Sequence, residues 1–147
     1  MKIEEIRENK RRFLDLLLEG DEQESMIETY LFRGDMFVLY DRDPVSVCVV
    51  TDEGNGVYEL KNIATYEEFR GQGYGRRLIE YLFEHYRGRC RAMIVGTGDC
   101  PRILRFYERC GFRISHRVEN FFIDHYDHPI FDCGEHLVDM VYLRKEF

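Results

Sequence analysis

The spacing of apolar and polar residues divides the chain into strand-like and helix-like stretches. The clearest helical period is Leu78, Ile79, Leu82, Phe83 and Tyr86, which predicts a helix reaching Tyr86 with one apolar stripe. Upstream, Val57–Thr65 alternates with period two. A regular strand would place Val57, Glu59, Lys61 and Ile63 on one side and Tyr58, Leu60, Asn62 and Ala64 on the other. Between strand and helix stand Gly71, Gly73 and Gly75, which let the backbone turn tightly and present successive N–H groups. The first N–H groups of a helix have no partner inside it and carry the positive end of its dipole. Strand, glycine loop and helix start therefore predict an anion site of the kind that holds phosphates.

Other elements follow from the same pattern. Ile6, Lys10, Phe13, Leu14, Leu17 and Leu18 predict a helix over Ile3–Leu18, closed by Gly20. Asp21 is the expected N-cap of a second helix reaching Leu31 or Phe32. Met36–Tyr40 and Val45–Thr51 read as a hairpin across Asp41-Arg42-Asp43-Pro44. Ala92–Thr97 is a short apolar strand, and Asp99 with Pro101 opens a further helix. The last strands are expected at Phe112–Val118 and Leu137–Arg144. Their connection, Glu119–His136, is long and aromatic; such a segment can cap a site or form a homodimer contact.

Length and composition narrow the class. A chain of 147 residues fits a single domain, residues 1–147, with a real core. No apolar run is long enough for a membrane span, and MKIEEIRENK has no apolar targeting segment. Cys48, Cys90, Cys100, Cys110 and Cys133 contain no C-x-x-C pair, so free thiols in a reducing cytoplasm are expected. A net charge of -7 argues against nucleic acid as partner. The charge is uneven, however: residues 70–117 carry eleven arginines against four acids, between two acidic ends. Solvated surface charge accounts for such a pattern. So does an enzyme that joins an anionic cofactor to a cationic acceptor.

The glycine loop is more specific. A phosphate-binding Walker loop needs Lys-Ser or Lys-Thr after its last glycine, where this chain has Arg76-Arg77. A dinucleotide fingerprint needs glycine or alanine where Arg76 or Leu78 stands. The segment Arg70-Gly71-Gln72-Gly73-Tyr74-Gly75 reads instead as (Arg/Gln)-x-x-Gly-x-(Gly/Ala). With Phe106-Tyr107-Glu108-Arg109-Cys110-Gly111-Phe112 downstream, it resembles the GCN5-related N-acetyltransferase (GNAT) superfamily from about Met36 to the end of the chain. Cys100 and Ile103 depart from the asparagine and alanine of many relatives.

This resemblance implies an α/β (α+β) fold, with a central mixed, mostly antiparallel sheet of six to seven strands and about four flanking helices. It implies acetyl-CoA as cosubstrate and direct acetyl transfer to a primary amine of a small molecule or peptide. An initial strand is also implied, for which only Lys2–Ile6 offers a place. The pyrophosphate is expected on Arg70, Gly71, Gln72, Gly73, Tyr74, Gly75 and Arg76, with Tyr74 packed beneath the loop. Backbone groups of Ile63, Ala64 and Thr65 would pair with the pantetheine arm. Acidic residues between the first helices, among them Asp21, Glu22, Glu24 and Glu28, would meet a cationic acceptor or simply form an exposed face.

Two side chains are implied in the chemistry. An alkylammonium with a pKa of about 10 must lose a proton before it attacks, and Glu59 is the candidate base, directly or through water. The alternative is that Glu59 only pairs with Lys61. Tyr107 is the candidate proton donor to the departing thiolate, although Ile103, Phe106, Tyr107 and Cys110 also form a core-type stripe. His125-x-x-His128 and Cys133-x-x-His136 resemble metal spacing, but acetyl transfer needs no metal and none is expected. A non-catalytic acyl-CoA-binding or regulatory module on the same scaffold is the competing function.

Overall fold

The computed structural model describes residues 1–147. Apolar period-two stretches build one seven-stranded sheet from β1 (Lys2–Ile6), β2 (Asp35–Asp41), β3 (Asp43–Asp52), β4 (Val57–Thr65), β5 (Ala92–Gly98), β6 (Arg113–Val118) and β9 (Met140–Glu146). Their order is β1-β2-β3-β4-β5-β9-β6, and only β4 and β5 run parallel. One face carries α1 (Leu14–Gly20) and α2 (Glu24–Glu28); the other carries α3 (Tyr74–His85) and α4 (Pro101–Arg109). The excursion between β6 and β9 holds α5 (Phe121–His125) and a two-residue hairpin, β7 (Phe131–Asp132) with β8 (Glu135–His136).

The expected mixed, mostly antiparallel seven-stranded sheet is present, and α3 covers it as its stripe requires. Leu78, Ile79, Leu82 and Tyr86 are fully buried against Phe37, Cys48 and Leu60 of the sheet. Burying each such side chain stabilises the fold by roughly 1.5–3 kcal/mol, which fixes the start of α3 relative to β4.

Four expectations are corrected. Ile3–Leu18 is not one helix: Lys2–Ile6 pairs fully with β2, and the chain turns at Asn9 before a 3-10 turn leads into α1. Lys10 misled the helical reading, because its buried ammonium donates to the carbonyls of Leu31 and Gly34 instead of extending a helix stripe. Asp21 is not an N-cap; α2 starts at Glu24, and the Asp21 carboxylate accepts two tyrosine hydroxyls. Asp99 does not cap α4 either, since Cys100 occupies that position and Asp99 pairs with Arg117. Finally, Cys100 and Cys133 are joined as a disulfide, because the excursion doubles back over the start of α4. Cys48, Cys90 and Cys110 stay free.

Candidate active site

The site begins where β4 and β5 part. Their pairing stops at Leu60↔Val95, after which β4 continues to Thr65 bonded only to β3 and β5 continues to Gly98 bonded only to β9. The two facing edges are left open, with main-chain groups available to a guest. The break coincides with a bulge: Val50 pairs with Leu60 and Val49 with Asn62, leaving Lys61 as the extra residue.

That bulge corrects the simple alternation. Tyr58, Leu60 and Ile63 face the α3/α4 layer, whereas Ala64 packs in the α1/α2 layer and Asn62 donates to the Leu17 carbonyl of α1. Residues expected on opposite sides, Glu59 and Asn62, are thereby available to the same side of the sheet. A period-two reading has no signal for an inserted residue, so the sequence did not show this.

At one end of the opening lies the glycine loop. Gly71 and Gly73 have φ of +75° and +85°, and a Cβ on either would meet no protein atom within 4 Å. Gly75 differs: it is helical, and its Cβ would lie 3.4 Å from the Phe106 ring, so its small size admits close packing of α3 on α4. The N–H groups of Gly71 through Arg76 make no hydrogen bond within the chain. They form an arc of donors at the start of a twelve-residue helix. Gln72, Gly73, Tyr74, Arg76 and Arg77, together with Met1 and Glu80, line a cleft of about 430 Å³ beside it.

The loop is braced from behind. Arg70 donates from Nε to the Thr65 carbonyl at 3.0 Å and reaches Glu19 at 3.3 Å, so its guanidinium ties the loop to β4 and α1. Tyr74 donates to Asp41 at 2.6 Å and packs edge-on to Phe69. Arg76 pairs with Glu80 at the surface. Arg77 lines the same cleft and makes no ion pair; its sequence signal is the second arginine after the last glycine.

Beside the opening stands Glu59, only 8 % exposed. Burial raises its carboxyl pKa, opposed by Lys61, whose ammonium lies 3.1 Å away. The ion pair anticipated as an alternative is therefore real, yet it leaves the carboxylate more basic than an ordinary glutamate. Tyr142 of β9 occupies space left by the absent side chain of Gly96. Burial, followed by the Glu59 and Glu53 carboxylates, pushes its phenol up to about 12.

Tyr107 has its ring in the core, packed between Phe106 and Phe112. Burial drives its pKa upward, so the phenol stays protonated at neutral pH. The only fully buried side-chain polar atom lacking a partner is Asn62 Oδ1. Tyr107 is 7 % exposed, and its hydroxyl makes no side-chain hydrogen bond.

Comparison with known proteins decides the family. The family model "Acetyltransferase (GNAT) domain" matches residues 33–114. The chain is 32% identical over 146 residues to YvbK of Bacillus subtilis (strain 168), described as an uncharacterized N-acetyltransferase, covering 97% of this chain and 94% of that one. The chain belongs to the GNAT acetyltransferase family. Among solved structures, a GNAT family acetyltransferase from Elizabethkingia anophelis with acetyl-CoA bound superposes with a TM-score of 0.93 at 30% identity, covering 99% of this chain and 97% of that chain. A Bacillus subtilis acetyltransferase in complex with CoA gives 0.91 at 30% identity, covering 99% and 98%. Acetyl-CoA is accordingly the cosubstrate, and the free N–H arc fits an anionic diphosphate.

The far side of this GNAT domain is closed by the excursion, Glu119–Asp139. Tyr126 donates to Asp21 at 2.8 Å, the Asp127 N–H donates to Gln23 at 3.1 Å, and His128 lies 3.7 Å from Glu22. Its other end is held by the disulfide and by a small core of Phe122, Ile130 and Leu137. The residues with metal-like spacing are dispersed: His125 stacks on Phe121, His128 bonds Asp127, and Cys133 is in the disulfide. No group of three or more His, Cys, Asp or Glu side chains is arranged to hold a metal, and no helix is long and apolar enough to cross a membrane.

Proposed function

We propose that this GNAT domain transfers the acetyl group of acetyl-CoA to a primary amine of a small molecule or peptide, by direct attack on the thioester. The observation that carries this reading is the buried, proton-avid Glu59 carboxylate beside the opening that begins beyond Leu60 of β4. An arriving ammonium gives its proton to Glu59, directly or through one water; the freed amine then attacks the acetyl carbon.

The β4 edge at Ile63, Ala64 and Thr65 holds the pantetheine arm in the manner of an added strand, through the main-chain groups that β3, Ser46 and Arg70 leave free, and donates to the oxygen that gains charge. Such donors are a large catalytic contribution, roughly 3 kcal/mol for one in a well-studied hydrolase. The Gly71–Arg76 arc binds the diphosphate, with Arg76 and Arg77 adding charge. Tyr107, kept protonated by burial, donates its proton to the leaving sulfur. The attacking nitrogen loses its second proton, which replaces through water the one Tyr107 gives to sulfur; Glu59 passes the first to solvent, the C–S bond breaks, and the products are an N-acetyl amine and free CoA thiol.

The test is to follow thiol release and acetylated product by mass spectrometry across a panel of primary amines. Amine-dependent release with matching product is expected. Tight acetyl-CoA binding with no transfer to any amine would overturn the enzymatic reading in favour of a binding module.

A further inference from the structure

The proposed chemistry uses Glu59 and leaves its partner, Lys61, without a task. Lys61 is the extra residue of the β4 bulge. Val50 of β3 pairs with Leu60 and Val49 with Asn62, and the pairing with β5 ends at Leu60, so Lys61 has no register partner on either side. It is thus the first residue of the opening. Bulges beside a site serve to re-aim a side chain, and here the Lys61 ammonium comes to lie 3.1 Å from Oε1 of Glu59.

The charges around the base are unequally shared. Glu53, just past β3, is well provided for: Thr51 donates to its Oε2 at 2.6 Å, and Arg33 donates to the same oxygen at 3.1 Å. Glu59 has Lys61 as its one ion-pair partner. No other neighbour takes that place. The Glu53 carboxylate opposes ionisation of Glu59, and Arg33, engaged with Glu53, favours it more weakly than Lys61 does. Tyr142 faces the carboxylate from β9 as a neutral phenol, and Ile94, its register partner on β5, carries no charge.

A carboxyl must be ionised before it can act as a base, and burial works against the charged form. Without Lys61, Glu59 would meet burial and the Glu53 charge opposed only by an arginine committed elsewhere.

Building on the amine-acetyltransferase reading, we propose that Lys61 is a positioning residue: its ammonium orients the Glu59 carboxylate at the mouth of the opening and keeps it in the charged form that can take the acceptor's proton. Lys61 acts through Glu59 and touches neither acetyl-CoA nor the acceptor.

The test follows kcat/KM against pH in wild type, Lys61→Met, Lys61→Gln and Lys61→Arg. Removing the ammonium raises the Glu59 pKa further, so the base is ionised only at higher pH. The acid limb in Lys61→Met should therefore move up by roughly one pH unit, the low end for an adjacent opposite charge, because 24 % of the Lys61 side chain is exposed. Below both limbs that is about a tenfold loss; above both, the two enzymes should converge. Lys61→Gln should match Lys61→Met and gives the same reading if the methionine variant does not fold. Lys61→Arg restores the charge and should restore the limb. NMR titration of the Glu59 carboxyl carbon, assigned by its loss in Glu59→Gln, should show the same displacement without any turnover. Acetyl transfer with an acid limb unmoved in Lys61→Met and Lys61→Gln would overturn this inference alone. A uniform loss of activity at every pH, with the carboxyl titration unchanged, would overturn it too, because a merely structural role predicts that pattern. Failure of wild type to acetylate any amine would bring down the amine-acetyltransferase reading and the inference with it.

Discussion

Gly73→Val separates the proposed role of the glycine loop from its part in the fold. At φ +85°, an L-residue pays roughly 1–2 kcal/mol of backbone strain, and a β-branched one sits at or above the top of that range. No protein atom lies within 4 Å of the added Cβ, so no packing clash increases the cost. The melting temperature should therefore fall by only about 2–8 °C. Binding should suffer far more, because the side chain would stand over the free N–H arc. Losing two charge-assisted hydrogen bonds at about 1.5–3 kcal/mol each weakens acetyl-CoA affinity by roughly 10²–10⁴. Gly88→Val is the matched control: it has φ +90°, also meets nothing within 4 Å, and lies beyond the far end of α3. Calorimetric titration with acetyl-CoA, alongside thermal melts of both variants, makes the comparison. Wild-type affinity in Gly73→Val, or equal loss in Gly88→Val, would refute the reasoning.

Other consequences can be measured alongside. Tyr107→Phe should lower kcat by roughly 10²–10³ while acetyl-CoA affinity holds, because a proton donor is lost and the ring still packs; steady-state kinetics with titration checks this. Burial raises the Glu59 pKa, and the base must be deprotonated to act. The acid limb of kcat/KM should therefore lie above the ordinary glutamate value of about 4.3, with activity rising as pH increases through it. Reducing the Cys100–Cys133 bond, which closes a 33-residue separation, should destabilise the fold by roughly 3–4 kcal/mol in a chain-entropy estimate. Thermal melts with and without reductant, together with thiol counting in denaturant, would show the change.

Much of the architecture was legible because local pattern and tertiary role agree. β4 falls at Val57–Thr65 as its alternation indicates, and α3 places the indicated stripe in the core. The glycine loop was legible for the same reason: a donor arc needs positive φ, and alternating glycines announce it. What escaped depends on contacts distant in sequence. Lys10 looks helical until carbonyls more than twenty residues away receive its ammonium. Asp21 has the composition of a helix cap but bonds a tyrosine 105 residues later. The bulge at Lys61 has no local signature, yet it determines which β4 side chains face the α1/α2 layer. The pairing of Cys100 with Cys133 likewise depends on the path of the excursion, which no spacing rule encodes.

The most direct measurement is Glu59→Gln, assayed for turnover and for acetyl-CoA affinity in one preparation. The account requires kcat to fall by roughly 10²–10⁴ with the dissociation constant for acetyl-CoA unchanged, since the carboxylate takes the amine's proton and does not grip the cosubstrate. Full turnover in Glu59→Gln would contradict it.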